Sequence, residues 1–179
     1  MTYRSEGSVR GYFPHWRDSV YWHIDHGLPY LEVQGLLDQT AVRSLRDLPL
    51  RRADLLEDIP APSLLHGDLA WSHVFVDDSG HQVTSLIDFG NRQTGDPAWE
   101  FARLSIAEGP SCLEAVFKGY DPEGEMSDRL RDRVPFYRVM LGLAVGRWLH
   151  EHGYHRDAVD LTADIVAALP DLRDGVRPG

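Results

Sequence analysis

The sequence predicts an α+β fold, mainly helical, and three observations carry that expectation. Apolar residues recur at three- and four-residue spacings across residues 13–56, the period of amphipathic helices. The same pattern returns across residues 97–169. Between them, residues 64–90 hold two β-rich runs separated by a turn composition, which predicts one small hairpin.

Each element follows in order. After an aromatic-rich start at Phe13, the residues Leu31, Val33, Leu36, Leu37, Val42 and Leu45 mark helices. Ile59-Pro60-Ala61-Pro62 ends that pattern, because neither proline continues a helix and each pushes its predecessor toward extended geometry. Val74-Phe75-Val76 and Val83-Thr84-Ser85-Leu86-Ile87 are the hairpin strands, and Asp77-Asp78-Ser79-Gly80 is their turn. Phe101, Leu104 and Ile106 open the second helical region, and Leu113, Val116 and Phe117 continue it. Val134 to Leu149 and Ala158 to Leu169 read as two buried helices, with Gly153 and Pro170 as their stop signals and a frayed tail over 171–179.

Whole-chain properties bound the function. With 179 residues, 42% hydrophobic and 26% charged, the chain has the size and make-up of one soluble domain. Its longest apolar stretch, Val139 to Val145, is too short to cross a bilayer, and the first residues lack a signal core, so a cytoplasmic protein without membrane partners is expected. Cys112 is the sole cysteine, which excludes an internal disulfide and a thiolate metal cluster. With 28 acidic residues against 18 basic ones, a nucleic-acid backbone is a poor partner, and a neutral or cationic small molecule fits better.

The chemistry concentrates at two acids. Asp68 ends Leu64-Leu65-His66-Gly67-Asp68, where glycine permits a sharp turn, and Asp88 opens Asp88-Phe89-Gly90 beyond the hairpin. Two carboxylates at adjacent strand ends suit phosphoryl transfer: one orients and deprotonates a hydroxyl, the other holds a metal that bridges nucleotide phosphates. His73, five residues after Asp68, falls at a metal-ligand position. Gly95-Asp96-Pro97 and Glu100-Phe101-Ala102 add a third element. A hairpin with acidic turns would explain neither the His66-Gly67 pair nor Phe89-Gly90 nor this third motif.

Taken together, residues 66–102 resemble the aminoglycoside phosphotransferase family, small-molecule kinases of protein-kinase-like fold. The resemblance implies Asp68 as the catalytic aspartate and Asp88 as the principal magnesium ligand, with ATP and Mg2+ as cofactors and a small-molecule hydroxyl as acceptor. It implies structural support of the loop from His66, and from Asp96 a brace for the loop and a cap for the next helix. His73 stands where the family's common pattern has asparagine, although its macrolide-phosphorylating branch resembles this chain in having histidine there. Magnesium prefers oxygen, so an imidazole would act on it better through a water.

Upstream of Asp68 the resemblance fades. Gly7, Gly11, Gly27 and Gly35 lack glycine-loop spacing, and the single lysine, Lys118, lies on the wrong side of both motifs. The expectation is therefore a single C-terminal lobe over residues 1–179 without a nucleotide lobe, with a truncated product, a fragment or a lineage that lost the lobe as possible causes. An apolar face left where that lobe would dock invites homodimerisation. Two functions follow: a truncated Mg-dependent phosphotransferase, or a non-catalytic remnant that binds a ligand or partner.

Other features have plainer readings. His150, His152 and His155 lack the spacing of a helical zinc motif, and a helix C-terminus accounts for them. His23 and His26 with Trp16, Tyr21 and Trp22 fit either core packing or a pocket wall, and core is the commoner outcome. Arg10, Arg43, Arg46, Arg51 and Arg52 read as a solvated face more readily than as phosphate contacts. No residue is singled out for the acceptor.

Overall fold

The computed structural model describes residues 4–5, 9–10, 13–57, 59, 62–121, 123 and 128–173. Two short strands, β1 (Arg4–Ser5) and β2 (Val9–Arg10), pair antiparallel ahead of the helices. Helix α1 (Trp16–Val33) starts where the His15 N–H bonds the Asp18 carboxylate at 3.2 Å. Asp38 caps α2 (Gln39–Arg51) by accepting from the Ala41 N–H at 2.7 Å, one of the donors a helix start leaves unpaired. A single 3-10 turn, Ala53–Leu56, then leads to the proline segment; Pro60 and Ala61, like Gly7 and Gly11, lie outside the described residues.

The predicted hairpin forms from β4 (Val74–Val76) and β5 (Val83–Leu86), antiparallel with a bulge between Phe75 and Val76. Asp77 holds its turn by accepting from the Ser79 hydroxyl and the His81 and Gln82 N–H groups. Those bonds, the Ser79 one foremost, lower its carboxyl below the usual range. A second pair has no β-rich signature: β3 (Ser63–Leu65) pairs antiparallel with β6 (Gln93–Gly95), Leu64 opposite Thr94. It brings the entrance of the first motif beside the entrance of the third.

Helices α3 (Pro97–Glu108), α4 (Cys112–Tyr120), α5 (Asp128–Glu151) and α6 (His155–Arg173) complete the chain. Helix α5 is the hub, packed on α1, α3 and α6, and its Phe136, Tyr137, Val139, Met140 and Leu143 are fully buried. It starts six residues before the predicted Val134, because those six residues bury only Leu130 and Arg133 and so show little apolar period. Gly153, at φ +85°, ends α5 as expected.

Pro170 does not end α6. Its fixed φ suits a helix and its ring is exposed, while buried Leu169 and Leu172 on either side hold the last turn to the core. Arg52 satisfies a terminal carbonyl by donating to Leu172 O at 3.1 Å. The expected tail thus begins later than Asp171, and residues 174–179 lie outside the described residues.

The hairpin stands apart from this core. Phe75, Val76, Val83, Leu86, Ile87 and Phe89 are between 38% and 58% exposed, an apolar face of the kind that invites a covering partner.

The α1–α5 contact is close enough to require glycine. A Cβ on Gly27 would lie 2.4 Å from the Leu143 carbonyl carbon. Gly27→Ala should lower stability by about 1–3 kcal/mol, read as a shift of the urea midpoint.

Candidate active site

The loop from His66 to His73 joins β3 to β4, and three side chains of α3 hold it. Glu100 accepts the Gly67 N–H, at 3.0 Å to Oε2 and 3.2 Å to Oε1. Arg103 forms an ion pair with Asp68 through Nη2 and Oδ1. Glu108 accepts the Trp71 N–H at 2.7 Å. Positions 100, 103 and 108 lie on one side of a 3.6-residue helix, so a single rigid element fixes the loop at three points.

Gly67 has two reasons to be glycine. Its φ is +80°, and a Cβ there would sit 2.0 Å from the Asn91 carbonyl oxygen. This close approach lets Asn91 reach across: its Nδ2 donates to Asp68 Oδ2 at 3.2 Å. Both oxygens of Asp68 are thereby engaged, one by a guanidinium and one by an amide. Neither Arg103 nor Asn91 is marked by the sequence motifs, and the only hint is that Arg103 falls one turn after the motif's Glu100.

His66 links the first two motifs. It is buried, its Nε2–H donates to Ile87 O at 2.7 Å, and its Nδ1 accepts the Asp68 N–H at 3.3 Å. With both ring nitrogens committed, it anchors the loop to the end of β5. Its ring packs on Phe89 at 4.5 Å and stacks on His73 at 5.7 Å between centroids.

His73 Nδ1–H donates to Asp68 O at 2.8 Å, which turns Nε2 toward Asp88, 3.9 Å from Oδ2. Asp88 has φ +64° and ψ +53°, the left-handed region that non-glycine residues seldom occupy and that collects at functional sites. Its carboxylate is 63% exposed. The structure therefore brings Asp68, His73 and Asp88 around one stretch of backbone. Among the described residues no group of three His, Cys, Asp or Glu side chains gathers as a metal cluster, and the His150, His152 and His155 group is no exception.

Asp96 lies deeper. Fully buried, it caps α3 by accepting the Ala98 N–H at 3.0 Å, and Pro97 follows as the first helical residue. Tyr137 donates to Oδ2 at 2.9 Å, Arg133 pairs with the same carboxylate at 2.5 Å, and Trp16 Nε1–H donates to the Tyr137 oxygen at 3.0 Å. Burial, and then the Asp96 charge, push the Tyr137 phenol well above its ordinary range. None of these bonds touches the 66–73 loop. Asp96 fixes α3 to α5, and the acids that grip the loop directly are Glu100 and Glu108.

A cavity of about 980 Å³ opens beside Asp68. Its lining includes Gly67, Asp68, Asn91 and Arg103, the aromatic residues Trp22, His23 and Trp148, and Asp157, Asp160 and Asp164 of α6. Of the aromatic start, Trp22 and His23 thus face the cavity, while Trp16 packs edge-on against Trp99 and Tyr137 in the core.

The fold has known counterparts. The profile of the phosphotransferase enzyme family matches residues 6–137, well over half of the chain. The uncharacterized protein YcbJ of Bacillus subtilis (strain 168) is 28% identical over 109 residues, which are 57% of this chain and 35% of that protein. Apo aminoglycoside phosphotransferase APH(4)-Ia, a thermostable mutant, superposes with a TM-score of 0.66 at 22% identity, covering 99% of this chain and 59% of the other. A ternary complex of such a mutant with ADP and hygromycin B gives 0.63 at 21% identity over 93% and 57%. A choline/ethanolamine kinase family protein from Mesorhizobium loti gives 0.63 at 20% identity over 95% and 56%. The fold is that of kinase-like phosphotransferases, and the chain spans little more than half the length of these solved proteins.

Removing Asp96 would leave the Arg133 guanidinium buried without its partner. Asp96→Ala should cost about 3–5 kcal/mol. Tyr137→Phe, which removes a hydrogen bond to the same acid and the acceptor of the Trp16 Nε1–H, should cost about 1–3 kcal/mol in the same urea titration.

Proposed function

Because the chain belongs to the phosphotransferase enzyme family, we propose that it moves the γ-phosphate of ATP to a hydroxyl of a small molecule, with Mg2+ as the first candidate for the divalent cation. One observation carries this reading: Asp68 lines a 980 Å³ cavity, and the same loop carries His73, whose Nδ1–H donates to Asp68 O and whose Nε2 lies 3.9 Å from Asp88 Oδ2. An acceptor in the cavity and a cation-bound nucleotide beside Asp88 would meet at Asp68.

Asp68 then orients the acceptor hydroxyl and receives its proton as the new O–P bond forms and the bond from the γ-phosphorus to ADP breaks. Arg103 and Asn91 stop the carboxylate from rotating, which keeps it in one geometry before the acceptor arrives. The cation, when bound, neutralises phosphate charge in such reactions. Asp88 offers it an oxygen, and an exposed carboxylate completed by phosphate and water suits a hard ion. His73 offers nitrogen, which suits magnesium only through a water. His66 and Asp96 hold the loop and α3 rather than react.

The acceptor in this reading is neutral or cationic, as Asp157 and Asp160 of α6 in the cavity lining favour, Asp164 being paired with Arg138 at 3.1 Å. The same reading has the chain act as a lobe, cover its apolar hairpin face by self-association and work in the cytoplasm. No helix among the described residues is long and apolar enough to cross a membrane.

Calorimetric titration with ATP, with and without Mg2+, is the direct test. Micromolar, Mg-dependent binding corresponds to about −8 kcal/mol and would justify a screen of hydroxyl acceptors; a folded sample that binds no ATP would overturn the proposal. Asp88→Ala should abolish the Mg-dependent part of the binding. In any active preparation Asp68→Asn should cut turnover by about 10²–10⁴-fold with little change in the unfolding midpoint, and unchanged turnover would remove Asp68 from its role.

A further inference from the structure

We propose that Arg103 is a further catalytic residue: while one N–H of its guanidinium holds Asp68, the others bond the oxygens of the phosphoryl group in transfer and offset their charge. The inference rests on the phosphotransferase reading above and goes beyond it by naming the side chain that meets the moving phosphate.

Arg103 lies on α3 and lines the cavity together with Asp68, and 20% of its side chain is exposed. A guanidinium is a planar fork of five N–H donors that stays charged. Only Nη2 is committed, to Asp68 Oδ1, and Nε and Nη1 have no partner among the described residues. The fork therefore keeps free donors beside the carboxylate. Arg138, the other arginine of the lining, is paired with Asp164 at 3.1 Å. The single lysine of the sequence, Lys118 on α4, is not part of the lining.

Holding the loop does not require this pair. Glu100 takes the Gly67 N–H, Glu108 takes the Trp71 N–H and His66 donates to Ile87 O, so backbone groups already fix the loop. Of the three α3 contacts, Arg103 alone goes to a side chain, that of the acid assigned to the acceptor hydroxyl. A partly exposed ion pair adds little stability. A cation fixed at this point serves the chemistry instead.

Phosphoryl transfer spreads negative charge over the three equatorial oxygens of the moving group. Asp68 is itself a carboxylate, and without a cation between them the two would repel. As the acceptor oxygen bonds to the γ-phosphorus and the bond to the ADP oxygen breaks, the acceptor proton passes to Asp68. Arg103 keeps its own protons throughout and contributes charge-assisted N–H···O bonds. Because α3 is locked to α5 through Asp96, those donors are in place before the phosphate arrives.

The test is calorimetric titration of the full chain with ADP and Mg2+, with and without fluoroaluminate, which occupies the place of the phosphoryl group in flight. Fluoroaluminate should tighten ADP binding to the wild type by about 10²-fold or more. Arg103→Met should lose about 10²-fold of that gain, while ADP alone binds as before and the urea midpoint stays close to that of the wild type. Guanidinium ion added to Arg103→Met should restore part of the gain. Arg103→Lys, which keeps the charge without the fork, should lose part of the gain too, and it carries the test should the Met variant fail to fold. A wild type that shows no tightening, variants that keep it in full, or an equal loss of affinity for ADP alone would each overturn the proposal. If ATP binding is Mg-dependent and the tightening ignores Arg103, this inference falls while the phosphotransferase reading stands. If the tightening needs Arg103 but Asp68→Asn leaves turnover unchanged, Arg103 stands and the assignment of Asp68 falls. A folded wild type that binds neither ATP nor ADP overturns both.

Discussion

A single buried carboxylate, Asp96, organises the lower half of this protein. A charge with no exposure is tolerated only when it is paired and hydrogen-bonded. Asp96 meets that condition with partners from two helices: the Ala98 N–H at the start of α3, and Arg133 and Tyr137 on α5. The start of α3 is thereby locked to α5, which is itself buried between α1 and α6. Because helices are stiff, the angle and rotation of α3 are set along its whole length.

That rotation aims one face of α3 at the loop. Glu100, Arg103 and Glu108 reach Gly67, Asp68 and Trp71 only because the helix beneath them cannot turn. The loop in turn carries His73, whose ring is held by the Asp68 carbonyl, and His66 ties the same loop to the end of the hairpin at Ile87. A chain of rigid contacts thus runs from the buried acid to the exposed Asp88. Asp88 is the last link, and its side chain is 63% exposed, against 26% for Asp68.

The hairpin is positioned by few partners, in contrast. Two strands with open edges and an exposed apolar face are marginal in isolation. Here they hang from the loop through the His66 bond to Ile87 and the His73 O bond to the Ile87 N–H. Asp88 therefore sits on the least buttressed element of the site, while Asp68 sits on the most.

The sequence by itself determined the α+β class, the hairpin at Val74–Val76 and Val83–Leu86, the helical regions on either side and the family that residues 66–102 resemble. These are local properties: apolar period, turn chemistry and short motifs all lie within reach of neighbouring residues. Only the tertiary structure decided that Arg103 and Asn91 clamp Asp68, that Glu100 rather than Asp96 grips the loop, and that β3 pairs with β6. It also kept α6 helical past Pro170, because burial of Leu172 outweighs the loss of one backbone bond. Each of these joins residues that propensity cannot connect, since the partner is chosen by packing across twenty to forty positions of chain, or by what lies beneath a helix rather than within it.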